Sequence, residues 1–375
     1  MSDARGAGSM FVRSPVPGAP GAAENGAAPA CAIPEGATRM TPTTPASGTE
    51  AAPAARVAVV DCGPGDVERL RRLQDAVPTS TADGAAGGAE IVRRAAGAAV
   101  LVTLYTYTAV DAEVIAALPD LRLIITRTAG HSHIDAEAAA ARGIAVATVP
   151  DAPTEAVAEF TLGALLALRR ALPEAAASTR AGAWEFTGFR GRELGGSTLG
   201  VLGLGHIGAH VAQLGRAIGM EVLAFTRTPR GLPGVAEVAL PELLERSSAL
   251  SVNVPLTPQT RGLLGAGELG RLPRGAHVVN TSRGEVLDLD ALCALLRSGH
   301  LAGACLDVLE GEPVAAQRLH ALADVPNLLI TPHISWHTEE TLRRQFDGLV
   351  DRVLAFLSGR PIDTIAGTPT QGAPA

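Results

Sequence analysis

Three polar residues, Arg283, Glu312 and His333, follow one another downstream of the run Gly203-Leu204-Gly205-His206-Ile207-Gly208. Arginine is a permanent cation with a planar fork of donors that matches a carboxylate. A carboxylate beside an imidazole favours the charged ring, which can then give a proton near neutral pH. Together these groups suit hydride transfer at a carbonyl carbon that carries a neighbouring carboxylate.

The glycine run supplies the other half of that chemistry. It follows an apolar segment, Leu199–Leu202, and opens a helical one, His206–Ile218, which is the context a dinucleotide fingerprint requires. Glycines allow a tight turn and close backbone approach to a pyrophosphate, and the helix N-terminus offers free N–H groups with partial positive charge. Gly203, Gly205, His206, Ile207 and Gly208 are therefore expected to touch a dinucleotide. The next strand, Glu221–Phe225, runs into Thr226-Arg227-Thr228-Pro229-Arg230. An acid at that strand end would bond the ribose hydroxyls and repel a 2′-phosphate. Here Thr226 takes the place, with Arg227 and Arg230 close by to grip a phosphate. NADP(H) is favoured on this ground, with NAD(H) as the alternative.

Each member of the trio stands just past an apolar strand. Arg283 follows His277–Val279 in Asn280-Thr281-Ser282-Arg283-Gly284. Asp307 and Glu312 follow Ala302–Leu306, and His333 follows Leu328–Ile330. Ligands of open parallel sheets bind at the carboxyl ends of strands, so these loops are expected to share one cleft. Strands at Arg56–Asp61, Ala99–Val102, Leu121–Ile125 and Ile144–Ala147 alternate with helical runs at 66–77, 111–117 and 135–142. A long helix starts at Thr154, a candidate N-cap, and runs to Arg170. The second strand series follows, near 199–202, 221–225, 249–253, 277–280, 302–306 and 327–330. A final amphipathic helix spans 338–358. This βα alternation predicts an α/β protein of two doubly wound parallel-sheet domains, the second inserted into the first. Residues 56–152 and 332–365 form the first domain and 153–331 the second. Residues 1–55 and 366–375 are rich in small residues and Pro, and are expected to stay disordered.

Composition excludes other classes. The net charge of −7 argues against a mainly electrostatic grip on nucleic acid or an anionic membrane. No lysine occurs, so a lysine Schiff base and a Walker A loop are both excluded. Four scattered cysteines without CxxC spacing fit a reducing cytoplasm. No run of about twenty apolar residues predicts a membrane span. The pair His131-Ser132-His133 has no third ligand nearby in sequence, so no metal is expected.

The chain resembles the D-isomer-specific 2-hydroxyacid dehydrogenase family from about Arg56 to Asp363. The glycine run, Pro255-Leu256-Thr257-Pro258-Gln259-Thr260, Asn280-Thr281-Ser282-Arg283-Gly284, Leu306-Asp307-Val308-Leu309-Glu310-Gly311-Glu312-Pro313 and Thr331-Pro332-His333 carry the resemblance. It implies a Rossmann cofactor domain inserted into a flavodoxin-like substrate domain. It implies that Arg283 binds the substrate carboxylate and carbonyl, that His333 is the general acid/base and that Glu312 pairs with it. Pro255, Thr260, Thr281, Ser282 and Asp307 match positions around the cofactor, Asp307 near the nicotinamide. Thr128-Ala129-Gly130 matches the loop whose N–H groups hold the substrate carboxylate, at Ala129 and Gly130. Thr106 or Tyr107 is placed to line the opposite wall of the pocket. The Phe225–Arg230 segment looks like that of NADPH-using glyoxylate/hydroxypyruvate reductases, which implies a small 2-oxo acid as substrate. Ala152 stands where some lactate-type members carry Tyr, and Trp336 follows the imidazole where small residues are common. Family members are commonly dimers, and 154–185 would supply much of the contact. Related chains that keep the trio serve as dinucleotide-sensing corepressors, and phosphite or phosphonate oxidation on the same scaffold is a further alternative. Formate dehydrogenases of this type carry Gln where Glu312 stands.

Overall fold

The computed structural model describes residues 56–367; the expected disordered segment 1–55 and residues 368–375 lie outside the described residues. Two parallel sheets are formed. The first comprises β1 (Val57–Cys62), β2 (Thr79–Asp83), β3 (Val100–Thr103), β4 (Leu123–Thr126) and β5 (Ala145–Ala147), in the order β2-β1-β3-β4-β5. The second comprises β6 (Thr198–Leu202), β7 (Glu221–Phe225), β8 (Ala236–Glu237), β9 (Ala249–Val252), β10 (Ala276–Asn280), β11 (Leu301–Leu306) and β12 (Leu328–Ile330), in the order β12-β11-β10-β9-β6-β7-β8. The progression of the strand order reverses between β1 and β3 in one sheet and between β6 and β9 in the other, while all paired strands stay parallel. Such reversals open a crevice at the carboxyl ends of the strands.

Near-continuous apolar runs are what a sheet covered on both faces demands. Alternate residues of β1, β3 and β4 serve opposite cores. Val57, Val59, Val100, Val102, Leu123 and Ile125 pack on one face, and Ala58, Val60, Leu101 and Ile124 on the other. The second sheet divides likewise, with Leu202, Leu250, Val252, Val278 and Leu306 opposite Leu199, Val201, Ala249, Val279 and Cys305. The last helix, Glu339–Leu357, is capped by the Thr338 hydroxyl, which accepts the Thr341 N–H at 3.1 Å. Its Phe346, Leu349, Val350 and Val353 return to the core of the first sheet.

Several local expectations are corrected. The helix expected over 66–77 is broken at Leu70 into Asp66–Arg69 and Arg71–Ala76. Strand β2 carries no apolar run because it is a half-exposed edge. The helix Gly88–Ala95 opens on glycine, a poor helix former. Thr154 does not cap its helix. Its N–H already bonds the Asp151 carbonyl at 3.1 Å within the first turn, Pro153 holds the cap position, and the Thr154 hydroxyl is buried without a partner. Ala366 is not loose but pairs with Val146 beside β5.

Candidate active site

The glycine turn after β6 is shaped from three different causes. Gly203 adopts φ +97, and a Cβ there would stand 2.9 Å from the Asn253 carbonyl, so the crossing of the loops after β6 and β9 leaves no room for a side chain. At Gly208 a Cβ would overlap the Gly203 carbonyl oxygen. Gly205 differs. Its φ is −73, and a Cβ there would meet nothing within 4 Å. The protein itself does not require glycine at 205, whereas a pyrophosphate approaching the backbone would. The helix His206–Ala217 starts at this point with no side chain capping its first N–H groups. An uncapped N-terminus behind an open glycine is the arrangement a phosphate fits. His206 reaches out of the turn to Asp151, Nε2 to Oδ1 3.3 Å, with both side chains exposed.

Thr226 follows β7 and turns its hydroxyl onto the Thr228 carbonyl at 3.1 Å. Arg227 and Arg230 are exposed, and among the described residues no ion pair involves either guanidinium. The one nearby acid, Glu237, is engaged by the Arg230 and Gly231 N–H groups at 2.8 and 2.7 Å.

Loops after β10, β11 and β12 bring the trio together. Asn280, fully buried, binds the Arg283 carbonyl through Nδ2 at 2.9 Å and the Ser282 N–H through Oδ1 at 3.0 Å. That fixes the turn from which Arg283 projects. Its Nη1 donates to the Ser282 carbonyl at 2.7 Å, and its Nη2 lies against Gly130, where a Cβ would collide with it. A side chain rooted on the second sheet thus touches the loop after β4 of the first. Glu312 accepts the Leu309 N–H at 2.9 Å with one oxygen and faces His333 Nδ1 at 2.6 Å with the other. Burial works against its ionisation, but the His333 contact, the Leu309 N–H and the Arg283 charge outweigh it, and its carboxyl falls below the usual range.

His333 itself has φ +56, a left-handed backbone that costs of order 1–3 kcal/mol outside glycine. Asp307 holds it there. The Asp307 carbonyl accepts the His333 N–H at 2.8 Å. Its carboxylate, 1 % exposed, accepts the Thr331 hydroxyl at 2.6 Å and the Ile334 and Ser335 N–H groups at 2.8 and 2.9 Å. Sequence reading placed this carboxylate near the nicotinamide and missed that it builds the His333 loop. Its only sequence signal is an acid directly after a buried strand. Thr260 and Thr281 are likewise engaged within the protein. Thr260 accepts the Thr257 N–H at 2.8 Å and donates to the Pro255 carbonyl at 2.6 Å, and the Thr281 hydroxyl turns toward Thr161 at 3.5 Å. Their side chains shape the loops that border the cradle.

On the first-sheet side, Thr128 donates to the Gly130 carbonyl at 2.6 Å and so curls the Thr128–Gly130 turn. His131 is held below the usual imidazole range by burial and by the Arg283 charge. His133 is driven down to about 4 by burial and by His131, and its Nε2 meets the Thr103 hydroxyl at 3.2 Å. Among the described residues no group of three His, Cys, Asp or Glu side chains is placed to hold a metal ion. Thr106 and Tyr107 are exposed at the tip of the loop after β3, and Tyr107 stacks on Tyr105 at 5.0 Å. His337 packs edge-on against Trp336 at 5.0 Å, so the imidazole that meets Glu312 is that of His333.

Comparison with known proteins places the chain in a family. The sequence model of the D-isomer specific 2-hydroxyacid dehydrogenase NAD-binding domain matches residues 162–335. A glycerate dehydrogenase of Methylorubrum extorquens is 36% identical over 283 residues, covering 74% of this chain and 88% of the relative. A glyoxylate reductase of Aeropyrum pernix is 37% identical over 281 residues, covering 72% and 83%. The crystal structure of a glyoxylate reductase from Paecilomyes thermophila superposes with a TM-score of 0.77 at 27% identity, over 84% of this chain and 99% of that one.

Proposed function

The chain belongs to the D-isomer-specific 2-hydroxyacid dehydrogenase family, and on that footing we propose that it reduces a small 2-oxo acid to its D-2-hydroxy acid, with NADPH as the preferred donor. The observation that carries this reading is the convergence of Arg283, Glu312 and His333 where the loops of the two sheets meet. The nicotinamide, when bound, supplies the hydride. Gly203, Gly205, His206, Ile207 and Gly208 would hold the pyrophosphate, with Pro255, Thr260, Thr281, Ser282 and Asp307 bordering the rest of the dinucleotide. Thr226 and Arg227 would meet the adenosine ribose and its 2′-phosphate.

Arg283 would grip the substrate carboxylate and carbonyl oxygen from one side, with the Ala129 and Gly130 N–H groups opposite and Thr106 on the facing wall. Charge builds on the carbonyl oxygen as the carbon is reduced, and His333 donates the proton there from its free Nε2. Glu312, fixed by Leu309, keeps the ring oriented through Nδ1. Such a positioned acid contributes ~10²–10⁴-fold in rate. Residues 56–152 with 332–365 would act as the substrate domain and 153–331 as the cofactor domain.

A homodimer is proposed through the 154–185 region. Leu166, Leu172 and Trp184 are exposed there, Trp184 at 93%, and Phe186 just beyond the region is 86% exposed. Exposed large apolar side chains gathered in one region of a chain support a contact surface. Cys62, Cys293 and Cys305 are free, buried thiols, which suits the cytoplasm. Among the described residues no helix is long and apolar enough to cross a membrane.

The test is turnover of NADPH and NADH with a panel of 2-oxo acids, on the parent and on His333→Ala and Arg283→Ala. Activity on a 2-oxo acid, lost in both variants while cofactor binding persists, supports the proposal. Cofactor binding with no turnover of any acid overturns it in favour of a dinucleotide-sensing role.

A further inference from the structure

Among the described residues the bulkiest fully buried side chain is a cation. Arg127 is 1 % exposed and directly precedes the Thr128–Gly130 turn. A guanidinium withdrawn from water is unfavourable unless other groups replace its hydration. Among the described residues no carboxylate pairs with it. Its Nε donates to the Leu104 carbonyl at 2.6 Å and its Nη1 to Gln345 Oε1 at 3.1 Å. Three rings surround it: Tyr105 at 4.6 Å, Phe346 at 5.3 Å and Trp336 at 5.4 Å to the centroid. Cation–π contacts are strongest where the arginine is desolvated, as it is here.

These partners come from separate stretches of chain. Leu104 and Tyr105 follow β3. Trp336 stands three residues beyond His333. Gln345 and Phe346 lie on the return helix. The Leu104-Tyr105 backbone is held from both sides, because Asp61 accepts their two N–H groups at 2.7 and 3.1 Å while Arg127 takes the Leu104 carbonyl. The segment 333–336 is pinned at two ends in the same way. Glu312 and Asp307, from loops of the second sheet, hold the His333 end, and Arg127, from the first sheet, lies under the Trp336 end.

We propose that Arg127 is a positioning residue for proton transfer: by seating Trp336 against Tyr105 and the return helix, it sets where the His333 imidazole stands relative to the Thr128–Gly130 turn. Arg127 does not touch the reacting atoms. The inference rests on the reading of His333 as the acid/base group. A planar guanidinium stacks on rings and donates through a fork at once, which the compact lysine ammonium does not.

Trp184 and Trp336 are the two tryptophans, so in a Trp184→Phe background the emission reports Trp336 alone. In that background Arg127→Met is expected to keep NADPH affinity and the KM of the 2-oxo acid while kcat falls about 10²-fold, the loss typical of a ~1 Å misplacement. Trp336 emission should shift at the same time. Arg127→Lys should recover only part of kcat. Trp336→Phe should keep kcat and Trp336→Leu should lose it, with the double variant Arg127→Met/Trp336→Leu no worse than the lower single. A folded Arg127→Met enzyme with parental kcat, or additive losses in the double variant, overturns the proposal. Should Arg127→Met fail to fold, equal kcat in Trp336→Phe and Trp336→Leu overturns it. Should the parent turn over no 2-oxo acid, it is the functional reading that fails. Positioning is then read from Trp336 emission, and an Arg127→Met spectrum identical to the parent's overturns it.

Discussion

His333 Nδ1 lies 2.6 Å from one oxygen of Glu312, and the second oxygen of that carboxylate is fixed by the Leu309 N–H at 2.9 Å. The pair spans loops from two neighbouring strands, so it forms only when the sheet is built. Glu312→Gln keeps the shape and the Leu309 bond but removes the negative charge that faces His333 Nδ1. The expected result is a ~10²–10⁴-fold loss of kcat for reduction with cofactor affinity unchanged, measured by steady-state kinetics and NADPH titration.

The same carboxyl gives the fold a pH dependence. Its pKa is lowered in the folded state from an ordinary 4.5. A depressed carboxyl contributes stability that is complete above the unfolded value and is lost as pH falls through the folded value. Denaturant unfolding of the parent should therefore weaken as pH falls below 4.5. The Glu312→Gln chain should show a shallower acid slope there, and identical slopes would refute the assignment.

Two glycines of the cradle should respond in opposite ways. Gly205→Ala adds a methyl that meets no protein atom within 4 Å at an ordinary φ, so the melting temperature should hold while NADPH affinity drops. Gly208→Ala forces a methyl into the Gly203 carbonyl and should cost about 1–3 kcal/mol of stability. Thermal denaturation with cofactor titration separates the two. A Gly205→Ala chain that binds cofactor like the parent would remove the phosphate from this turn.

Arg283 and Gly130 meet across the seam between the sheets. A methyl at 130 displaces the Arg283 guanidinium without touching the core, so Gly130→Ala should raise the KM of the 2-oxo acid and lower kcat with an unchanged melting temperature. Arg283→Lys should lose roughly 3–4 kcal/mol of transition-state stabilisation, because a point charge cannot reproduce the fork. Parental kcat/KM in either variant would place substrate elsewhere.

Arg227 is exposed after β7 and forms no ion pair among the described residues. Arg227→Asp should reduce NADPH efficiency by about 1.5–3 kcal/mol, the value of a charged hydrogen bond, and leave NADH use intact. An unchanged ratio of kcat/KM for the two cofactors would refute the preference for NADP(H).

The sequence by itself determined the sheets and the order of the trio. Apolar strands separated by helical periods leave few foldings other than parallel sheets, and each of Arg283, Glu312 and His333 is legible as a polar residue just past such a strand. The glycine fingerprint was legible because its spacing and its strand-to-helix context are both local. The tertiary structure alone decided which groups those residues meet. Nothing near Asp307 in sequence says that its carboxylate holds Ile334 and Ser335, and nothing near Arg127 announces Trp336 or Phe346. Those partners lie along other stretches of the chain, the first pair brought to Asp307 by the pairing of β11 with β12 and Phe346 brought to Arg127 by the return of the final helix. The edge strand β2 was also hidden, since a half-exposed strand needs no apolar run. The physical reason is range: propensity and periodicity act within a turn or a strand, whereas the hydrogen bonds and ring contacts that aim a side chain depend on packing between distant segments.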